Sequence, residues 1–173
     1  LAISQTSPEQ VEVYRFGPIG AFAIVAVAFF LQTFLPVRWH FFAIFDLPLL
    51  VTIFFALARR NAITGCLTGC FIGLAQDTLT QYPLGLFGIA KSVVGFGASS
   101  LGVKLDVENA VARFLVTFGF CIVHQFLYLL VARGLVGLTT VSWSWGHEAL
   151  TALANALLAV PLFFLLDRFK QRT

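Results

Sequence analysis

Few side chains in this chain could do chemistry, and they are scattered. The three histidines, His40, His124 and His147, stand far apart, and the sequence holds no phosphate-binding glycine loop, no H-E-x-x-H and no G-x-S-x-G. Gly97-Ala98-Ser99-Ser100 is a faint echo of the G-x-S-G of intramembrane serine proteases, with His124 as the base such a dyad would need. The closing glycine is missing, and Ser99 falls near one end of its apolar run while His124 falls near the middle of another. That separation defeats a Ser–His hydrogen bond, so no catalytic residue is expected. Cys66 and Cys70 share a helix face at i, i+4, and Cys121 lies in a later run. No further ligand sits at metal-binding spacing, so these are expected to be small packing residues, with no metal or cofactor.

The remaining candidates are polar residues inside apolar runs: Asp77, Lys91, His124, Gln125 and Asn155. Such residues are functional candidates because burying them in a bilayer is costly. A transporter built from repeated halves would repeat them, but the first three and last three runs show no internal repeat. His124 and Asn155 read as a structural hydrogen bond between the fifth and sixth helices.

The elements that must carry these residues are membrane helices. Of 173 residues, 59% are apolar, 11% are charged and 20 are Phe. An ordinary soluble domain carries roughly 25% charged residues, and one this size cannot hide so much apolar surface in a single core. Continuous rather than alternating runs exclude a β-barrel, and helices satisfy every backbone polar group in lipid. The expected fold is an all-α integral membrane protein, one domain over 1–173. Its six spans fall at about 17–36, 41–58, 62–81, 84–103, 110–132 and 149–166. The second run contains Asp46 and Pro48, which fit a helix start near Leu47: Asp46 as N-cap, Pro48 in the first turn, and Phe41–Phe45 irregular.

Charge sets the orientation. Alternating spans put Arg15, Arg59, Arg60, Lys104, Arg113, Arg168, Lys170 and Arg172 on one side, against Arg38 and Arg133 on the other. Basic residues mark the cytoplasmic side, so both termini are expected there. Trp39, Trp143, Trp145 and Tyr82 form an aromatic belt on the opposite side. Residues 1–16 lack the layout of a cleaved signal peptide and are expected to be a cytoplasmic segment ahead of a retained first span. The net charge of +3 is spread along a rim, which suits anionic headgroups and excludes a nucleic-acid surface.

The stretch from Asp46 to Gly102 is the most specific. Gly65, Gly69 and Gly73 make a small-residue stripe that lets helices approach closely, and Asp77 extends it. The fourth span answers with Gly88, Lys91, Gly95, Ala98 and Gly102 on one face. The reading is that Gly65, Gly69, Gly73, Gly88 and Gly95 pack helices or meet a partner. Asp77 and Lys91, one charge on each stripe, are expected to form a buried ion pair.

Gly65-x-x-x-Gly69-x-x-x-Gly73-x-x-x-Asp77 followed by Pro83-Leu84-Gly85 resembles the rod shape-determining MreD family. The preceding Asp46–Arg60 helix, ending in paired arginines, is similar as well. The close likeness covers about a third of the chain. Gln81-Tyr82 departs from the small residues usual before Pro83. The resemblance implies a non-enzymatic scaffold in the inner (cytoplasmic) membrane of a bacterium, within the cell-elongation complex. Its implied partner is MreC, with MreB, RodA and a class B penicillin-binding transpeptidase reached indirectly in support of peptidoglycan synthesis. It also implies a fold like the substrate-binding subunits of energy-coupling-factor transporters, which leaves a small-ligand-binding subunit of a vitamin transporter as the alternative.

Overall fold

Apolar runs with caps at their starts become helices here, and the computed structural model describes them over residues 17–104, 109–139, 141 and 143–169. The segment 1–16, the basic residues Lys170 and Arg172, and the side chain of Lys104 lie outside that description. The elements are α1 (Pro18–Arg38), a 3-10 turn (His40–Ile44), α2 (Leu47–Arg59), α3 (Ala62–Thr80), α4 (Leu86–Lys104), α5 (Ala110–Gly134) and α6 (Trp145–Asp167). There is no strand among the described residues. α6 starts four residues before its expected span, at Trp145 rather than Ala149, which shortens the preceding loop.

Four helices, α1, α4, α5 and α6, are long and apolar enough to cross a membrane. α2 departs from the simple six-span expectation. Its 13 residues reach only ~20 Å at ~1.5 Å per residue, against a ~30 Å hydrocarbon core. Every residue from Pro48 to Ala58 is buried, so α2 is the axis of the bundle. A helix apolar on all sides is one surrounded by protein or by lipid, and hydropathy reads the two alike. α1 is the opposite case. It buries only Ala28 and exposes Ile19, Phe22 and Phe30, the surface of a helix that faces lipid. α3 is laced with Thr, Gln and Asp and is less apolar than the other long helices.

Around α2 the core includes Leu50, Ile53 and Phe54, with the Phe163 ring of α6 5.3 Å from Phe54. α3 lies against both α2 and α4. Its contact with α4 is backbone on backbone. A Cβ at Gly69 would overlap the Lys91 carbonyl, one at Gly73 the Phe87 carbonyl, and one at Gly65 the Gly95 carbonyl and the Ser99 hydroxyl. From the other side, a Cβ at Gly95 would strike Gly65, and one at Gly88 would press Leu74 at 3.0 Å and approach the Asp77 carboxylate at 3.6 Å. The two stripes therefore face each other, which brings Lys91 and Asp77 into the same interior.

At the other end of the bundle, Arg113 of α5 pairs with Asp167 of α6 and lies over the Phe164 ring, 4.6 Å from its centroid. Arg113 is buried, so one of the eight residues counted toward the cytoplasmic rim spends its charge inside the protein.

Candidate functional site

The site begins where the chain breaks between the 3-10 turn and α2. A break exposes backbone donors and acceptors that water would satisfy on a surface, and a membrane interior offers none. Two polar side chains do it instead. Gln32 of α1 donates from Nε2 to the Phe45 carbonyl and accepts the Leu47 N–H at Oε1, both at 2.9 Å. Asn155 of α6 accepts the Asp46 N–H at Oδ1 (2.9 Å) and donates from Nδ2 to the Ile44 and Thr151 carbonyls. The expected His124–Asn155 hydrogen bond is therefore absent, because both ends of the Asn155 amide are engaged by backbone.

Asp46 caps α2, accepting the Leu49 N–H at 2.9 Å, with Pro48 in the first turn as expected. Its carboxylate also receives the Lys91 ammonium at 2.9 and 2.7 Å, one contact to each oxygen. Lys91 is 0% exposed, and Phe87 lies 5.6 Å beneath its Nζ. The predicted Asp77–Lys91 pair is thus corrected: Lys91 bonds to Asp46.

Asp77 has another task. Also 0% exposed, it accepts N–H bonds from Gly85 (2.9 Å), Phe87 (2.9 Å) and Gly88 (3.2 Å). These amides open α4, where the first turn has no carbonyl partners of its own and an anion is favoured. The physical reason for the misreading is the helix start. α4 begins at Leu86, not Leu84, which sets its unsatisfied amides beside Asp77. Lys91 then lies ~7.5 Å further along the axis at ~1.5 Å per residue, level with the start of α2.

Above this network lies a cavity of about 550 Å³. The buried Gln76, His124 and Asn155 and the half-buried Asp46 form its floor, and the exposed Tyr82 and His147 stand at its mouth. Phe45, Phe87, Tyr128 and Trp143 supply aromatic walls. His124, 5% exposed, stacks on Phe87 at 6.0 Å and 6°, and Tyr128 stacks on the same ring at 5.0 Å. His124 Nε2, Gln76 Oε1, Gln125 Oε1, Thr151 Oγ1 and Trp143 Nε1 are buried with no protein partner. Cys121 also lines the cavity, whereas Cys66 and Cys70 are half-buried on α3. No group of three or more His, Cys, Asp or Glu gathers at metal-binding distance among the described residues. Ser99 lies elsewhere, buried, with its hydroxyl donating to the Ala56 carbonyl at 2.9 Å.

Sequence reasoning placed His124, Gln125 and Asn155 among the candidates and treated Asp46 as a cap alone. It passed over Gln32 and Gln76, although the rule that flags polar residues in apolar runs applies to both. No family model, no curated protein and no solved structure matches this chain.

Proposed function

We propose that this protein is a non-enzymatic, multi-pass scaffold subunit of the bacterial cell-elongation complex, in the manner of the MreD family. It would bind the single-span protein MreC and through it serve RodA, a class B penicillin-binding transpeptidase and MreB. The observation that carries this reading is the role of the residues behind the resemblance. Gly65, Gly69 and Gly73 seat α3 on α4, and Asp77 ties the Pro83-Leu84-Gly85 turn and the start of α4 to α3. The motif thus has an architectural task throughout, as a scaffold requires.

The same reading carries six crossings, both termini cytoplasmic, in the inner membrane. The short α2 fits it together with the turn before it. The 3-10 turn of 5 residues adds ~10 Å at ~2.0 Å per residue, and with the ~20 Å of α2 this reaches ~30 Å. The deciding experiment is co-purification from membranes expressing this chain and MreC of the same organism. Co-elution in a stable complex supports the scaffold. A folded protein that never retains MreC, and whose removal leaves rod shape intact, overturns it.

One observation favours a second reading, a small-ligand-binding membrane subunit. It is the partly polar cavity of about 550 Å³, within the usual range of ligand pockets.

A further inference from the structure

The cavity divides its polar residues into two sets. Gln32 and Asn155, which hold the chain break, have both ends of their amides bonded to backbone. Gln76 and His124, 7% and 5% exposed, line the cavity, and their Oε1 and Nε2 are buried with no protein partner. Buried polar groups in native proteins are bonded as a rule, and each exception calls for a reason. In a bundle that satisfies even its broken backbone, a group of exceptions lining one cavity is the signature of a binding site.

We propose that the cavity binds a small aromatic ring bearing nitrogen donors, uncharged or singly cationic. This rests on the ligand-binding reading of the cavity and not on the partner reading. Charge comes first. The acidic side chains lining the cavity are Asp46 and Glu148, and no Lys or Arg among the described residues lines it. Lys91 lies behind Asp46 and is neutralised by it, while Arg133 points its Nε to the Val141 carbonyl at 2.7 Å. Of the pair, Lys91 is 0% exposed and the Asp46 side chain 20%, so the negative end of a neutral pair faces the cavity beside Glu148 and disfavours an anion.

Hydrogen-bonding capacity comes second. The Asp46 carboxylate, the Gln76 and Gln125 amides and the His124 ring nitrogen can all accept. A ligand that donates satisfies the unpaired Gln76 and Gln125 Oε1 atoms, whereas one that only accepts can use the Trp143, Thr151, tyrosine and glutamine donors but leaves those buried oxygens unpaired. Shape comes third. Tyr82, Tyr128, Phe45 and Trp143 offer flat faces that stack on a ring and attract a cation over it.

The test uses the full chain in nanodiscs of a single phosphatidylcholine, so that the bilayer offers no donor-bearing headgroup. Three ring probes of one size are compared by saturation-transfer NMR: benzamide (neutral), benzamidine (cationic) and benzoate (anionic). The expected result is binding of benzamidine and benzamide, with benzoate at least ~10-fold weaker, a difference of ~1.4 kcal/mol. Gln76→Leu and His124→Phe remove the two buried acceptors by apolar replacement, so each is expected to keep or raise the thermal midpoint while weakening benzamidine at least ~10-fold. Benzoate binding as tightly as benzamidine overturns the ligand class and leaves a ligand site standing. If no probe binds and both variants merely gain stability, the cavity holds water only, and the ligand reading falls with the proposal.

Discussion

Replacing Asp46 with Asn removes a charge while leaving an oxygen to cap α2 at the Leu49 N–H. Lys91, 0% exposed and bonded to both Asp46 oxygens, then stands alone in the interior. Breaking a buried pair from one side costs about 3–5 kcal/mol, because the remaining charge is uncompensated. Lys91→Met, which keeps the length of the side chain, leaves Asp46 in the same position at a similar cost. Removing both charges leaves nothing uncompensated, and apolar replacement of a whole pair is often neutral. The double variant should therefore lose far less than the ~6–10 kcal/mol sum of the singles, with a coupling of at least ~3 kcal/mol. Reversible unfolding in mixed micelles, with yield of folded protein where a single variant is too unstable, measures the cycle. The same cycle run on Asp77→Asn with Lys91→Met serves as the comparison. Additivity for Asp46 and Lys91, or a larger coupling for Asp77 and Lys91, would refute the pairing.

Gly69→Ala should destabilise by ~2 kcal/mol or more, since its Cβ meets the Lys91 carbonyl and backbone has nowhere to retreat. Gly119→Ala, in α5 with nothing within 4 Å of its Cβ, should be neutral or gain up to ~1 kcal/mol from helix propensity, and thermal midpoints compare the two. Asp77→Ala strips three amides of their acceptor and should cost at least ~2 kcal/mol, with hydrogen exchange accelerating first at Phe87 and Gly88. In a variant without native cysteines, a cysteine at Asn61 should react only with reagents that reach the cytoplasm, and one at Ser144 with impermeant external reagents. Labelling of Asn61 from outside would reverse the orientation drawn from the basic residues.

What could be read in advance was whatever rests on local order. The start of α2 at Leu47 follows from Asp46 and Pro48, and the α3–α4 contact follows from glycines at every fourth position. Partner choice across the fold was not legible in the same way. Asp46 and Lys91 are 45 residues apart in sequence, while Asp77 is nearer to Lys91 and on the facing stripe, so proximity along the chain favoured the wrong carboxylate. A two-residue error in the start of α4 hid the amides that claim Asp77. The burial of α2 was invisible because apolar residues look alike whether they face lipid or other helices. The cavity draws on all six helices and the 3-10 turn, and its members become one site only once those are assembled.

The clamp on the chain break also dictates an order of events. Asp46 and Ile44 rely on Asn155, which lies 109 and 111 residues later in the chain. At synthesis rates of ~5–20 residues per second, Asn155 leaves the ribosome some ~5–20 s after Asp46. Throughout that interval the Asp46 N–H and the Ile44 carbonyl have no native partner, and Lys91 reaches Asp46 well before the amide that completes the junction. The second helix to be made is therefore the last to settle. Anything that delays or truncates the sixth helix leaves the centre of the protein, rather than its edge, unfinished.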